Sequence, residues 1–531
     1  MKEAWWQRGV VYQVYPRSFQ DSNSDGVGDL PGVRQRLDYL HWLGVDAIWL
    51  SPIFRSPMAD FGYDVADYTD VDPLFGSVDD VDSLVEDLHA RGMHLLLDLV
   101  PNHTSNLHPW FLDSRSSHAA AHRDWYIWRD ARPDGSPPNG WIASFGGSAW
   151  EWDDLTGQYY FHSFLKEQPD LNWSNPDVRA HMFDVMRFWL RRGVDGFRID
   201  VVNLLAKRFE LERLPDHVAI DPSIVDDPAR VAAVMRRQLW AATPDIHSIM
   251  RQLRSVADEF DDRLLIGEVW LPMRRLVRFY GTDLTGLHLP FNFQLLTIPW
   301  SAASVHRAIA EYEAALPEGA WPNWVVGNHD RPRIATRVGP AQARVAALLL
   351  LTLRGTPTIY YGDELGMTDP EIPVSAQRDP QGLRGGESRD PARTPMRWDT
   401  SARAGFSDAE PWLPVGTDVA PRNVASERDD PGSMLSLCRR LLELRRKERA
   451  LNLGEWLDAG YTESAIAYVR SDGPRRFLVA ANLTGTAAAL PSAATGYSGR
   501  LLVSTTRLGP ETDFQAQDDL APDEAILVQI D

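Results

Sequence analysis

Near its middle the chain reads Gly196-Phe197-Arg198-Ile199-Asp200, a short apolar run that carries a guanidinium and a carboxylate two residues apart. Alternate side chains of a β-strand point to the same face, so this spacing predicts that Arg198 and Asp200 share one face of a strand.

Short apolar runs recur at 10–15, 47–52, 94–100, 196–201, 264–269, 287–292, 324–328 and 358–361. Amphipathic helical patterns lie between most of them, at 33–43, 78–91, 177–191, 246–260, 302–315 and 341–353. Strands that alternate with helices predict an α/β fold, here a closed (β/α)8 TIM barrel. A doubly wound open sheet is the competing fold, and it is disfavoured because no G-x-G-x-x-G turn follows the first run.

Parts of the chain do not fit a plain barrel. The connection 104–170 follows the third run, and a connection of that length is usually functional or a small domain of its own. Further additions are a second long connection at 363–404 and a helical extension at 206–244. Strand-like runs at 465–470, 477–483, 500–504 and 525–530 predict a C-terminal antiparallel β-sandwich. The predicted domains are a barrel of residues 1–103 and 171–450, an inserted domain of 104–170 after strand 3, and a C-terminal β-domain of 451–531.

The charge balance is acidic, because 54 Lys and Arg residues face 74 Asp and Glu residues and leave a formal net charge of −20. Such a surface repels phosphate backbones and anionic lipid, so we expect no nucleic acid and no membrane as partners. The N-terminal residues contain no apolar leader, and no apolar run approaches the roughly 20 residues of a membrane span, which predicts a cytoplasmic protein. The single cysteine, Cys438, lies in an apolar helical pattern and is predicted to be buried and inert. A monomer and a homodimer are equally compatible with these features.

Three carboxylates follow predicted barrel strands: Asp200 the fourth, Glu268 the fifth and Asp330 the seventh. Because reactive groups of such barrels lie at the C-terminal ends of the strands, these side chains are predicted to converge on one pocket. Two carboxyl groups about 5 Å apart cleave glycosidic bonds with retention of configuration, and a third anion can stabilise the cationic transition state. We expect the charge of Arg198 to keep Asp200 ionised. His103 and His329, also at strand ends, could donate hydrogen bonds to sugar hydroxyls.

Four segments at these strand ends carry a family resemblance. They are Asp98-Leu99-Val100-Pro101-Asn102-His103, Gly196-Phe197-Arg198-Ile199-Asp200, Gly267-Glu268-Val269-Trp270 and Asn328-His329-Asp330. In their order and spacing the chain resembles the α-amylase superfamily, glycoside hydrolase family 13. The resemblance implies that Asp200 is the nucleophile, Glu268 the general acid and base, and Asp330 the stabiliser of the transition state. It also implies a barrel with an inserted domain and a C-terminal β-domain.

Three further segments resemble the oligo-1,6-glucosidase branch of that family: 168–172 (Gln-Pro-Asp-Leu-Asn), 58–64 and 388–398. In that branch Asp60 and Arg389 hold the terminal glucose and close the pocket beyond it, which makes the enzyme exo-acting. The resemblance also places Tyr63 under that glucose, places Phe145 and Phe164 along the same subsite, and through Val201 favours acceptance of α-1,6 links. The expected function is a retaining exo-acting α-glucosidase that releases glucose from non-reducing ends of short α-1,4 and/or α-1,6 glucosides. The expected substrates are small oligosaccharides or aryl α-glucosides.

An Asp- and Asn-rich loop follows the first predicted strand and alternates oxygen donors with a glycine at the sixth position, as calcium loops do. It is not an EF-hand, because Gly32 stands where the bidentate Glu belongs. The family resemblance implies the ligands Asp21, Asn23, Asp25, the Val27 carbonyl and Asp29. We expect a structural Ca²⁺ ion, with Mg²⁺ possible.

Other functions fit part of this pattern. An α-glucosyltransferase would use the same residues to move glucose from maltose or sucrose to sugar or phenol acceptors. Sucrose isomerisation is disfavoured because no Arg-Leu-Asp-Arg-Asp stretch occurs. A non-catalytic relative, such as the barrel ectodomain of a transporter heavy chain, is disfavoured because the carboxylates are intact and no membrane anchor is present. A sugar-binding protein without turnover is disfavoured for the same carboxylates.

Overall fold

The computed structural model describes residues 3–207, 245–507, 509, 511–515 and 519–530. Its centre is a sheet of eight parallel strands: Val11–Val14, Ala47–Leu50, His94–Leu99, Gly196–Ile199, Leu264–Gly267, Leu289–Pro290, Asn323–Val325 and Thr356–Tyr360. Strands that are consecutive in the chain pair with each other, except the sixth and the seventh, and the eighth strand also pairs with the first. The predicted (β/α)8 barrel is confirmed. The predicted extension 206–244 lies almost entirely outside the described residues.

Burial on both faces explains why the barrel strands read as continuous apolar runs. All residues of the first, second and fourth strands are buried. The register of the fourth strand sets the site, because Arg198 lies opposite Asp98 on the third strand and opposite Ile266 on the fifth. The groups that follow these strands therefore meet at one end of the barrel.

The helices agree with the sequence patterns except near residue 36. They are Trp5–Arg8, Leu30–Gln35, Leu37–Leu43, Val78–Ala90, Pro109–Ser114, Pro176–Arg191, Asp245–Ala257, Met273–Leu276, Gln294–Thr297, Ala302–Ala315, Ile334–Val338, Pro340–Thr352, Pro380–Leu383, Val424–Glu427, Met434–Lys447 and Arg449–Asn452. The pattern at 33–43 predicts one helix, but the backbone leaves helical geometry at Arg36, with φ −104° and ψ 7°. Short 3₁₀ turns include Val202–Leu204, directly after the fourth strand, and Asp390–Arg393.

The connection after the third strand leaves and returns side by side, because His103 forms an antiparallel bridge with Asp170. Between them a three-stranded antiparallel sheet forms from Trp128–Arg129, Trp150–Asp153 and Gln158–Phe161. Another two-stranded sheet, Phe54–Arg55 with Asp67–Val71, follows the second barrel strand. These additions stand at the C-terminal end of the barrel strands, where the site lies.

The C-terminal region is antiparallel, as the sequence predicts. Its described strands form one six-stranded sheet in the order Glu455–Tyr461, Ala465–Asp472, Arg475–Asn482, Ala525–Ile530, Ser498–Ser504 and Thr512–Gln515. One face, with Tyr468 and Phe477, belongs to the same core as the barrel helices, and Thr352 and Tyr468 share a hydroxyl hydrogen bond of 2.7 Å. Cys438 is buried in the helix Met434–Lys447, and burial raises the pKa of its thiol. No helix among the described residues is long and apolar enough to cross a membrane.

Candidate active site

A cavity of about 470 Å³ opens at the C-terminal end of the barrel strands. Its lining brings together eleven side chains that the sequence singles out: Asp60, Tyr63, His103, Phe145, Phe164, Asp200, Val201, Glu268, His329, Asp330 and Arg389. Arg198 does not line the cavity, but it donates hydrogen bonds to two carboxylates that do. Residues from six different strand ends and loops thus surround one space of the size that small ligands occupy.

Arg198 is the centre of the site and is 2 % exposed. Its Nη1 donates to Asp98 Oδ1 at 2.7 Å and to Asp200 Oδ1 at 2.8 Å, and its Nη2 donates to Glu268 Oε2 at 2.5 Å. The guanidinium also lies 5.1 Å from the centre of the Trp49 ring, whose Nε1 donates to Asp98 at 3.2 Å. One cation therefore orders three buried carboxyl groups.

The three carboxyl groups outnumber their cation, and the pKa values of Asp98 and Asp200 reflect this. Burial raises the pKa of Asp98 to about 6 in spite of Arg198. Burial also raises the pKa of Asp200 well above its usual value, and Glu268 and Asp98 raise it further while Arg198 lowers it. Arg198 thus lowers the pKa of Asp200 in the predicted direction, but burial and the neighbouring carboxyl groups outweigh it because the same guanidinium serves three anions. These surroundings favour protonation within the cluster.

Glu268 is held from two sides. Trp270 Nε1 donates to its Oε1 at 2.5 Å, and the backbone N–H of Val201 donates to its Oε2 at 3.1 Å. Val201 adopts φ +35°, a left-handed conformation that costs a β-branched residue about 1–2 kcal/mol. The backbone N–H of Val202 also donates to the Glu268 carbonyl, at 3.1 Å. The strained turn after the fourth strand is thus bonded to the residue that follows the fifth.

Asp330 faces the cavity from the seventh strand end within a basic environment. Its Oδ1 accepts from Arg393 at 3.1 Å and from Arg389 at 3.3 Å, and its Oδ2 lies 3.3 Å from His329 Nε2. Burial raises the pKa of Asp330, but His329 and the two guanidinium groups outweigh it and hold the pKa well below the usual range. Asp330 is therefore a permanent anion, in contrast to Asp200.

Two buried histidines frame the cavity. His329 lies parallel to the Tyr63 ring with 5.5 Å between centroids, and its Nε2 contacts the Tyr63 hydroxyl at 2.8 Å. Burial lowers the pKa of His329 to about 3 and that of His103 to about 4, so both rings are neutral at pH 7. His103 Nε2 lies 3.0 Å from the Tyr63 carbonyl and 3.1 Å from Gln168 Nε2. Both nitrogens of each ring contact protein groups, including Gln13 at His329 and Asn102 at His103, so the two rings are fixed in orientation.

The far wall is a charged pair. Arg389 Nη2 donates to Asp60 Oδ1 at 2.7 Å, and both side chains are buried. Asp379 holds the same arginine, accepting from Nη2 at 2.6 Å, from Nε at 2.9 Å and from the Arg389 backbone N–H at 2.7 Å. The guanidinium lies 5.1 Å from the Phe145 ring centre, and Phe145 meets Phe164 edge-on at 5.7 Å. Because the pair is buried, it is not a surface salt bridge.

Some residues of the site lack a predicted role. Asp98 and Trp270 stand within the segments quoted above, and their contacts with Arg198 and Glu268 follow from strand register. Gln168 also stands in a quoted segment, and its Nε2 donates to Asp60 at 3.4 Å. Asp379 carries no sequence signal, because it lies in the irregular 363–404 connection.

The predicted calcium loop offers oxygen donors but directs them to backbone N–H groups. Asp21 accepts from Asn23, Ser24 and Gly26, Asp25 accepts from Val27, and Asp29 caps the following helix through Gly32 at 2.6 Å. In this described loop, the carboxylate oxygens of Asp21, Asp25 and Asp29 do not all lie within 4.8 Å of one another. Oxygen donors of this type suit Ca²⁺. Their arrangement in the structure does not match a calcium coordination sphere, because they accept hydrogen bonds from backbone N–H groups. The calcium site stays a prediction.

The barrel and the acidic cavity together define a (β/α)8 protein of the carbohydrate-cleaving type. A family model described as "Alpha amylase, catalytic domain" matches residues 13–454. A probable alpha-glucosidase of Rhizobium meliloti is 41 % identical over 91 % of this chain and 90 % of its own length. An oligo-1,6-glucosidase of Parageobacillus thermoglucosidasius is 37 % identical over 86 % of each chain. A solved isomaltulose synthase of Erwinia rhapontici, bound to its natural substrate sucrose, is 32 % identical with a TM-score of 0.89 over both full chains. The chain belongs to the α-amylase family, glycoside hydrolase family 13.

Replacing Arg198 should make stability depend on pH. In Arg198→Met, three buried carboxyl groups lose their cation, and the pKa values of Asp98 and Asp200, which this cation lowers, rise further above those of the unfolded chain. A carboxyl group whose pKa is higher in the folded chain than in the unfolded chain disfavours the fold more strongly as pH rises above the unfolded value. The free energy of unfolding should therefore fall by about 3 kcal/mol at pH 7 and by less at pH 5. Urea unfolding at both pH values measures this.

The matched control is Arg187→Met, which removes an exposed ion pair with Glu259. It should cost less than about 1 kcal/mol at either pH. An equal loss for Arg198→Met at pH 5 and pH 7 would contradict the assigned charge balance.

Proposed function

We propose that the protein is a retaining, exo-acting α-glucosidase that releases glucose from the non-reducing ends of short α-glucosides. One observation carries the proposal: Asp200 and Glu268 bind the same guanidinium beside a cavity that all three carboxyl groups, Asp330 included, line. The family relationship supports it, since related chains carry the names α-glucosidase and oligo-1,6-glucosidase.

The geometry favours retention of configuration. The carboxyl oxygens of Asp200 and Glu268 lie 2.8 and 2.5 Å from the two terminal nitrogens of Arg198, which keeps the carboxyl groups close together. Retaining enzymes hold the pair about 5–5.5 Å apart, whereas inverting enzymes need about 6.5–9.5 Å to admit a water molecule between carboxylate and sugar. A shared guanidinium is compatible with the shorter spacing.

The reaction would proceed in two displacements. In the first, Asp200 forms a bond to the anomeric carbon while the bond to the leaving oxygen breaks and that oxygen takes a proton from Glu268. In the second, Glu268 takes a proton from water, and the water oxygen displaces Asp200 to give α-glucose. Asp330, held anionic by Arg389 and Arg393, stabilises the positive charge that develops on the sugar ring in both steps.

The charge balance of the cluster favours the proton that this reaction uses. Asp98, Asp200 and Glu268 bring three potential negative charges to one Arg198 cation, and the pKa values of Asp98 and Asp200 are raised accordingly. The first displacement requires that proton on Glu268, where it can reach the leaving oxygen. Activity is then expected to fall at high pH, where the proton leaves, and at low pH, where Asp200 is also protonated.

The closed wall supports exo action. Asp60 and Arg389 form a buried pair that presents both an acceptor and donors to a sugar hydroxyl at one end of the cavity. Because Asp379 fixes Arg389 and Gln168 contacts Asp60, this wall cannot open without breaking several charge-assisted hydrogen bonds. A chain can enter only with its terminal glucose first.

Replacement of either reacting carboxyl should abolish turnover while the fold remains. Asp200→Asn and Glu268→Gln are expected to lower kcat for maltose at least about a thousandfold, because each removes a group that bonds to reacting atoms. Proton NMR of wild-type digests should show α-glucose first, before mutarotation. Release of β-glucose first, or wild-type rates in Asp200→Asn, would overturn the proposal.

Removal of the wall carboxylate should weaken recognition of the terminal glucose. In Asp60→Ala the lost charge-assisted hydrogen bond lowers kcat/KM for maltose by about 10–100-fold. The matched control is Asp70→Ala, which removes an exposed ion pair with Arg55 and should leave kcat/KM unchanged. For wild type, early digests of maltotetraose should contain glucose and maltotriose; maltose as the first product would contradict exo action.

A second candidate is α-glucosyl transfer through the same covalent intermediate. It is favoured by the likeness to an isomaltulose synthase, whose natural substrate is sucrose. Hydrolysis and transfer differ only in whether water or a sugar hydroxyl intercepts the glucosyl-enzyme, which the open side of the cavity controls. That side is lined by Trp270, Arg331 and the segment that carries Gln381 and Glu387.

Product analysis separates the two functions. With maltose, isomaltose and sucrose supplied in turn at high concentration, a hydrolase accumulates free glucose as its main product from whichever substrate it accepts. Trisaccharides or rearranged disaccharides as the main products would show transfer and displace the hydrolase proposal.

A further inference from the structure

The opposite end of the barrel carries a second cluster of chemical groups, His89, His94 and Asp195. His94 begins the third strand, Asp195 directly precedes the fourth, and His89 lies in the last turn of the helix Val78–Ala90. The chain runs from this end of both strands to the cavity end, so the cluster is separate from the candidate active site.

We propose that this cluster is a binding site for one divalent transition-metal ion of the Zn²⁺ class. The potential ligand atoms of His89, His94 and Asp195 all lie within 4.8 Å of one another. His89 Nε2 is 2.9 Å from Asp195 Oδ2, and His94 Nδ1 is 3.2 Å from Asp195 Oδ1. Zinc ligands at about 2.0 Å from a tetrahedral ion are about 3.3 Å from one another, which is close to these spacings.

The ligand types match that class of metal. Two imidazoles and one carboxylate suit Zn²⁺, whereas Ca²⁺ and Mg²⁺ prefer oxygen donors alone. The nitrogen of His94 that faces Asp195 is buried and meets only this carboxylate, at 3.2 Å and without good hydrogen-bond alignment, so a metal ion could take the place of the proton between them. A hollow of about 300 Å³, lined also by Gly92 and Met93, gives room for a water molecule as fourth ligand.

The surrounding contacts hold the three ligands in place. The backbone N–H of Leu95 donates to Asp195 Oδ2 at 2.9 Å, and Arg263 Nη1 lies 3.3 Å from Oδ1. The Trp5 ring stacks on His94 at 3.8 Å between centroids. A ligating carboxylate normally keeps such outer hydrogen bonds, and here they fix its orientation. Asp195 is 5 % exposed in its side chain but the histidines are 42 % and 26 % exposed, so an ion can reach them.

A bound ion would cross-link one helix and the starts of two barrel strands. His89 ends a helix, and His94 and Asp195 lie at the starts of two adjacent strands, so coordination would join the underside of the barrel. Groups at this end of such barrels serve stability, whereas the chemistry lies at the other end. The expected effect is a higher melting temperature with no change in glucosidase activity.

Calorimetric titration of the untagged, metal-stripped full chain with Zn²⁺ tests the site, in a buffer with excess Ca²⁺ to fill oxygen-only sites. We expect one ion per chain in wild type and at least about tenfold weaker binding in both His89→Gln and His94→Gln. The matched control is His118→Gln, an exposed histidine of the inserted region that contacts the Thr156 carbonyl. Its affinity should equal that of wild type. Asp195→Asn is not used, because this residue also anchors Leu95.

Two further measurements separate a metal role from a merely structural one. Zn²⁺ should raise the melting temperature of wild type and of His118→Gln but not of His89→Gln or His94→Gln. Glucosidase activity should be the same with and without the ion. Absence of binding, binding that survives both histidine changes, or inhibition of the enzyme by the bound ion would overturn the proposal, whatever the fate of the proposed glucosidase function.

Discussion

The contact on which the site depends is the buried guanidinium of Arg198 among Asp98, Asp200 and Glu268. A buried carboxylate is costly unless it is paired, and here one cation pairs three of them from the third strand, the fourth strand and the end of the fifth. The strand register brings Asp98 directly beside Arg198, so a slip of one residue would turn these side chains to the other face. Fold and site are therefore specified by the same pairing. The incomplete compensation of charge also suits the chemistry, because it favours the proton that a leaving oxygen would need.

A second network acts in the opposite electrostatic sense. Asp330 and Asp60 meet Arg389, and Arg393 adds a further cation at Asp330. Here cations dominate and lower the pKa of Asp330, whereas burial raises the pKa values of Asp98 and Asp200 in the Arg198 cluster. Two groups of acids with pKa values pushed apart by their surroundings are the usual sign of divided acid, base and electrostatic roles. The second network also ties the irregular 363–404 connection to the rim of the barrel through Asp379.

The sequence predicts elements well where burial alone decides them. The helix Ala302–Ala315 matches its predicted bounds because a Ser301 cap and an apolar stripe agree. The predicted helix at 33–43 breaks because Arg36 turns toward Gln20 and the Trp398 ring, contacts distant in the chain. The predicted strand at 287–292 shortens to Leu289–Pro290, where a proline cannot donate to the ladder. In the site, every residue named at a strand end lines the cavity or contacts a residue that does. The raised pKa of Asp200 could not be predicted from Arg198 alone, since it depends on burial and on the neighbouring carboxyl groups of Glu268 and Asp98.

The short fourth strand links the acidic cavity at one end of the barrel to the histidine cluster at the other. Gly196 begins it with φ +155°, and a Cβ there would lie 1.9 Å from the Leu264 carbonyl oxygen of the fifth strand. Only glycine permits this approach, and the approach sets the pairing of Gly196–Ile199 with Leu264–Gly267. That pairing places Asp200 next to Glu268 at one end and holds Asp195, whose carbonyl accepts from Leu264 at 2.9 Å, at the other. A larger residue at 196 would shift both strands and so disturb the acidic cavity and the histidine cluster together, although neither contains the glycine. The close approach of the fourth and fifth strands at Gly196 thus positions both the acidic cavity and the histidine cluster, at opposite ends of a strand of four residues.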